Sequence, residues 1–187
     1  LPPSSAASDV YKRQSLNTSV KADSKKNIIE NLKEGGKLIF IRHAYAPGGG
    51  DPGNFNIYDC STQRNLSESG RIQSRKIGNF FIENNIKIEN VYSSEWCRCK
   101  ETASLAFKNF KTKSFLNSFF SSKFAQNKNL QMRDFQKFLL DWDEKTNLIF
   151  VTHYVVISEI LYYPSSSGEI VISNKNFKII DTLEIEY

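Results

Sequence analysis

The sequence is short of what a metal centre, a disulfide scaffold or a membrane span would require. Its three cysteines, Cys60, Cys97 and Cys99, are too few for a disulfide framework. Cys97-Arg-Cys99 has neither zinc-knuckle spacing nor a second Cys or His pair to complete four ligands, so no metal is expected. No cofactor is expected either, because the glycines of Ala46-Pro-Gly-Gly-Gly-Asp-Pro-Gly53 match neither the P-loop nor the dinucleotide spacing. Apolar runs stop well short of a bilayer-spanning length, which argues against a membrane span. The net charge of +5 comes from scattered lysines without a compact basic stretch, which gives weak support for anionic partners and none for nucleic acid. No internal repeat is visible.

What is present suffices for one domain. A chain of 187 residues with 40% hydrophobic and 13% aromatic content can bury a single substantial core. Residues 1–24 lack periodicity and apolar weight and read as a non-native or disordered leader, leaving 25–187 as the domain. Within the leader, Ser19-Val-Lys-Ala22-Asp has the small-residue pattern of a signal-peptidase site, with Val20 and Ala22 at the specificity positions. This points to a periplasmic or exported protein; the alternative is cytoplasmic.

Hydrophobic periodicity predicts helices over Lys25–Lys33, Ser67–Asn84, from about Ser94 to Asn109, Leu130–Trp142 and Val155–Tyr162. Strands are predicted over Lys37–Ile41, Asn85–Tyr92, Lys113–Leu116, Asn147–Thr152 and Glu169–Ser173, with Phe177–Tyr187 as an edge strand. Ala46–Gly53 is dense in helix and strand breakers and reads as a loop at a pocket rim. Strands alternating with helices define an α/β fold, a three-layer α/β/α sandwich with a mainly parallel central sheet.

The two histidines each close a matching apolar run, Lys37-Leu-Ile-Phe-Ile-Arg-His43 and Asn147-Leu-Ile-Phe-Val-Thr-His153. Such runs read as buried parallel strands, which puts both imidazoles at strand carboxyl ends, where open α/β sheets bind ligands. Between them lies Ser93-Ser94-Glu-Trp-Cys-Arg98-Cys-Lys-Glu101-Thr102-Ala103, preceded by Arg64-Asn-Leu66-Ser67-Glu-Ser-Gly70-Arg-Ile-Gln73. These four ordered blocks, from about residue 37 to 160, resemble the histidine phosphatase superfamily, which contains phosphoglycerate mutases and many phosphatases.

The chemistry is consistent with that resemblance. Phosphoryl transfer to a side chain needs an unprotonated nucleophile, and His43 is the candidate. Arg42 and Arg98 offer planar paired donors for the phosphoryl oxygens. The helix start from Ser94 to Arg98 could add backbone N–H donors. The resemblance implies that His153 is a second phosphate contact, one that would help most when protonated. Arg64 either reaches the pocket or braces the loop onto Asp59. Thr102 and Ala103 read as packing residues.

The chain departs from the family pattern at three points. Ala44 and Tyr154 stand where glycine follows each histidine, and Phe115-Leu-Asn117-Ser-Phe-Phe120 lacks the glutamate that serves many members as proton donor. Asp51 and Asp59, in the loop after the first histidine, are candidate substitutes, each set against a preferred reading as a loop cap; alternatively the leaving group needs no acid, as a phosphorylated nitrogen would not. The expected activity is hydrolysis of a phosphate monoester or phosphoramidate on a small molecule or a phosphoprotein. A scaffold without turnover and, less favoured, a phosphomutase are the alternatives; oligomeric state is left open. In an oxidising compartment Cys60 would pair with Cys97 or Cys99, since both segments flank the expected pocket.

Overall fold

The computed structural model of the chain describes residues 26–187; the leader reading and the Val20–Ala22 pattern fall outside them. Six strands form one sheet: β1 (Leu38–Arg42), β2 (Asn90–Ser93), β3 (Lys111–Thr112), β4 (Leu148–Thr152), β5 (Ile170–Ser173) and β6 (Ile179–Leu183). Their spatial order is β3-β2-β4-β1-β5-β6. The first four run parallel, and β5 pairs antiparallel with both β1 and β6. The sheet is therefore mainly parallel, with an antiparallel turn at one edge. The helices are α1 (residues 26–34), α2 (Glu68–Glu83), α3 (Cys97–Phe107), α4 (Ser122–Ala125), α5 (Lys128–Leu139) and α6 (Tyr154–Leu161).

Strand alternation divides the core into two layers. Ile39 and Ile41 of β1, with Ile149 and Val151 of β4, pack against α1, α2 and α3 through Leu32, Ile77, Phe81 and Ala103. Leu38 and Phe40, with Leu148 and Phe150, face the other way onto Phe135 of α5 and Ile157 of α6. Because β1 and β4 are covered on both faces, they are apolar at every position up to their last residues, and this is the α/β/α sandwich expected from the sequence. The α2 and α3 helices meet closely at Gly78, where a Cβ would collide with the Ala106 carbonyl oxygen.

Of the predicted strands, one is shorter than its apolar pattern and one is absent. Asn85 takes a left-handed conformation at φ 53° just after α2, so the extended segment pairs only from Asn90. Lys113–Leu116 is not a strand: Ser114–Leu116 forms a 3-10 turn. In a strand Phe115 and Leu116 would face opposite sides, whereas the turn buries both in the layer around Phe135. Its Leu116 carbonyl accepts from Thr152 Oγ1 at 2.6 Å, which ties the turn to the end of β4.

Candidate active site

Parallel pairing of β1 with β4 puts Arg42 opposite Thr152, so the next residue of each strand is a histidine. The His43 amide donates to the Thr152 carbonyl at 2.9 Å, and the two imidazole centroids lie 5.5 Å apart. Both rings are buried, with 2% and 3% residue exposure. His43 Nδ1 lies 2.9 Å from the Ala44 carbonyl, an acceptor that requires the proton on Nδ1. That tautomer leaves a lone pair on Nε2, and Arg98 Nε donates to it at 3.2 Å.

Arg98, on the first turn of α3, is the hub. Its Nη1 and Nη2 make a fork on Asp51 at 2.7 and 3.2 Å, and Nη2 also reaches His153 Nδ1 at 3.4 Å. Asp51 accepts in addition from the Arg64 amide and from Trp96 Nε1, both at 3.1 Å. Arg64 braces the glycine-rich loop as one of its two readings proposed, but onto the Gly50 and Ala46 carbonyls rather than Asp59. Arg42 is held by the Ser165 carbonyl at 2.7 Å, with its guanidinium over the Tyr154 ring. These side chains line a cavity of about 450 Å³. Among the described residues it sets three guanidinium groups against a single carboxylate, which suits it to an anion.

Three sequence expectations are corrected. Asp59 is exposed, and its carboxylate caps the 3-10 turn at Cys60–Thr62 through Ser61, away from the cavity. Ser94 is fully buried and does not line the cavity: its hydroxyl donates to Asn117 Oδ1 at 3.1 Å and contacts His153 Nε2 at 2.9 Å, so it orients the imidazole. The backbone N–H groups expected to face a phosphate are used within the protein. Those of Ser94, Glu95, Trp96 and Cys97 donate to Val151 O, Asn117 Oδ1, Ser94 Oγ and Gln63 Oε1. The α6 helix instead points its positive end at the cavity, through Tyr154 and Val155. Thr102 links the two motifs, donating to the Arg98 carbonyl and accepting from the Ala44 amide.

The sequence reading missed the mouth of the cavity. Phe55 stacks on Trp96 at 4.9 Å and meets Phe124 edge-on at 5.5 Å, and Phe120 stands 69% exposed on the rim. Spread over residues 55, 96, 120 and 124, these aromatics carry no local pattern that marks them as one wall.

Burial, and after it the charge of Arg98, lowers the affinity of both histidines for protons well below the ordinary value. His153 is therefore neutral in this arrangement, not protonated as its expected role favoured. Unfolded histidines titrate near 6.5, so below that pH the unfolded chain takes up protons that the folded one refuses. Stability is therefore greatest above about pH 6.5 and falls as pH drops below it, with both histidines contributing. Urea titrations at pH 7 and pH 5.5 check this, with a shallower loss expected for His153→Asn; identical stability at both pH values would contradict it.

The histidine phosphatase superfamily (branch 1) model matches residues 38–117, a span that holds His43, Arg64 and Arg98. Over that span the chain is similar to the superfamily, and its fold is the one seen in phosphatases and mutases of known structure. Among solved structures, the SixA protein of Agrobacterium tumefaciens aligns at TM-score 0.55 and 15% identity, over 80% of this chain and 98% of its own. The protein histidine phosphatase SixA, solved with tungstate, gives 0.53 and 13%, covering 79% and 96%. Phosphoglycerate mutase from Thermus thermophilus gives 0.56 and 14%, covering 80% and 99%. At these identities the likeness is one of fold. No curated protein matches the sequence.

Proposed function

We propose that the protein is a phosphohydrolase that transfers the phosphoryl group of a monoester or phosphoramidate to His43 Nε2 and then to water. The observation that carries this reading is the fixed tautomer of His43: Nδ1 is committed to the Ala44 carbonyl, so the unshared pair of Nε2 sits beside Arg98 on the cavity wall. A buried neutral imidazole is a competent nucleophile at neutral pH without prior deprotonation. Arg42 and Arg98 flank the position where charge develops on the phosphoryl oxygens, His153 holds Arg98 through Nδ1, and the positive end of α6 adds to the field. The aromatic mouth favours a phosphorylated compound whose alcohol carries a flat or apolar ring, as a small molecule or a side chain of a phosphoprotein. The bridge between Cys60 and Cys97 supports work in an oxidising compartment, in keeping with export.

The test is turnover of para-nitrophenyl phosphate, whose leaving group departs without an acid. Wild-type protein should release phosphate and, quenched during turnover, carry an acid-labile phosphoryl group on histidine; His43→Ala should show neither. No phosphate release by either protein would instead support a phosphate-binding scaffold without turnover, and equal measurable rates would remove His43 as the nucleophile.

A further inference from the structure

An alkoxide leaves phosphorus slowly unless it is protonated as the bond breaks, so a phosphomonoesterase of this design needs an acid at the cavity. The segment Phe115–Phe120 contributes Ser118 and Phe120 to the cavity wall and no carboxylate. Glu95 and Glu101, three residues either side of Arg98, do not line the cavity: the first is tied to Asn117 Nδ2 and the second to Arg71 Nε, both at 2.6 Å. Asp59 is on the surface. Asp51 is the one carboxylate among the described residues that line the cavity.

We infer, building on the phosphatase reading, that Asp51 is the proton donor to the leaving group, armed by exchange of its partner on Arg98. In the structure the Arg98 fork is filled by the two Asp51 oxygens, at 2.7 and 3.2 Å. A phosphoryl group positioned for attack by His43 Nε2 needs the same fork, because Arg98 Nε already points at that nitrogen. The incoming dianion therefore takes over Arg98, and the Asp51 carboxylate is left half-buried beside negative charge, a setting in which it binds a proton. Room for this shift exists, since a Cβ on Gly49, Gly50 or Gly53 of the same loop would meet no atom within 4 Å.

With Asp51 on Arg98 its proton affinity is held down. Burial alone would raise it, but the hydrogen bond and charge of Arg98, with the Arg64 amide and the Trp96 indole, outweigh burial. The carboxylate is thus a poor acid until substrate arrives. In the first step the P–O ester bond breaks, the His43 Nε2–P bond forms, and the Asp51 proton passes to the departing oxygen. In the second step Asp51 takes a proton from the water that attacks phosphorus; the N–P bond breaks and the carboxylic acid is restored. Phosphate leaves, and atoms and protons balance over the cycle.

The experiment compares kcat/KM, which reports the step in which the leaving group departs, for wild type, Asp51→Asn and Asp51→Glu. The substrates are para-nitrophenyl phosphate and the alkyl ester β-glycerophosphate. Asp51→Asn should lose about 10²-fold or more on the alkyl ester, and at least tenfold less on the aryl ester. Asp51→Glu should recover part of the alkyl activity. Equal losses on both substrates would mean that Asp51 only positions Arg98. Gains on both would mean that it merely competes for the anion site. Either outcome overturns the inference, as does wild-type protein that turns over the aryl ester alone. A second measurement needs no variant: with an acid in place, wild-type kcat/KM should vary little across aryl phosphates of graded leaving-group acidity, and a steep dependence would overturn the inference. Failure of wild type on every ester, or turnover that survives His43→Ala, would defeat the phosphatase reading itself and is thereby distinguished.

Discussion

Arg98→Ala should lower kcat/KM on para-nitrophenyl phosphate by roughly 10³-fold, as expected when a preorganised charged donor aimed at the developing negative charge is lost. Arg98 touches the nucleophile, the second histidine and the cavity carboxylate at once, through His43 Nε2, His153 Nδ1 and Asp51. Its side chain is 3% exposed, so water cannot replace the missing guanidinium at low cost. The loss should fall mainly on kcat, because the fork is used most fully as charge builds on the phosphoryl oxygens. Arg98→Lys keeps the charge and loses the planar fork, so it should restore only a minor part of the rate. Unfolding midpoints of both variants separate a chemical defect from a folded fraction that has shrunk. A value of kcat/KM close to that of wild type for folded Arg98→Ala would reject the role.

Much of this site was legible in the sequence because its central pieces are set locally. Each histidine ends a run of buried strand residues, and pairing those runs in parallel is enough to bring the rings to 5.5 Å. Arg98 was legible because a helix start follows β2 directly. The misreadings arise where contacts at long sequence separation overrule local pattern. Asp51 and Asp59 look alike as loop acids. Only the fold turns Asp51 onto Arg98 while Asp59 closes a local turn through Ser61. Asn117, whose amide cannot protonate a leaving group, has a role no local pattern announces: its Oδ1 accepts from Ser94, which in turn holds His153. Lys113–Leu116 had the composition of a strand, but both of its apolar side chains are needed in one layer. The aromatic mouth draws on three separate segments, around residues 55, 96 and 120–124, and no periodicity could have joined them.

Reduction of the Cys60–Cys97 bridge should cost about 4 kcal/mol of stability, the chain-entropy value for opening a loop of this size. Of the two pairings open at the sequence level, the structure adopts the one with Cys97, and Cys99 remains a buried free thiol. The position of the bridge matters as much as its strength. Cys97 is the first residue of α3, next to Arg98, and Cys60 closes the surface segment that runs on from Asp51 and Phe55. Opening the bridge removes the covalent tie between the two cavity walls and leaves only noncovalent ones, among them the Gln63 side chain on the Cys97 amide, Asp51 on Arg98 and the Phe55–Trp96 stack. For a chain of this length the expected loss corresponds to a melting temperature lower by about 10 °C, with a raised KM for para-nitrophenyl phosphate, while His43 keeps its bonds to Ala44 and Arg98. Thermal melts with and without reductant measure the first effect. Alkylation measures the bond itself. Denatured, non-reduced protein should present one reactive thiol, that of Cys99, and native protein none, since burial pushes that thiol up to about 12. Three reactive thiols, or melting curves that coincide, would remove the bridge from the account, and with it the support for an oxidising compartment.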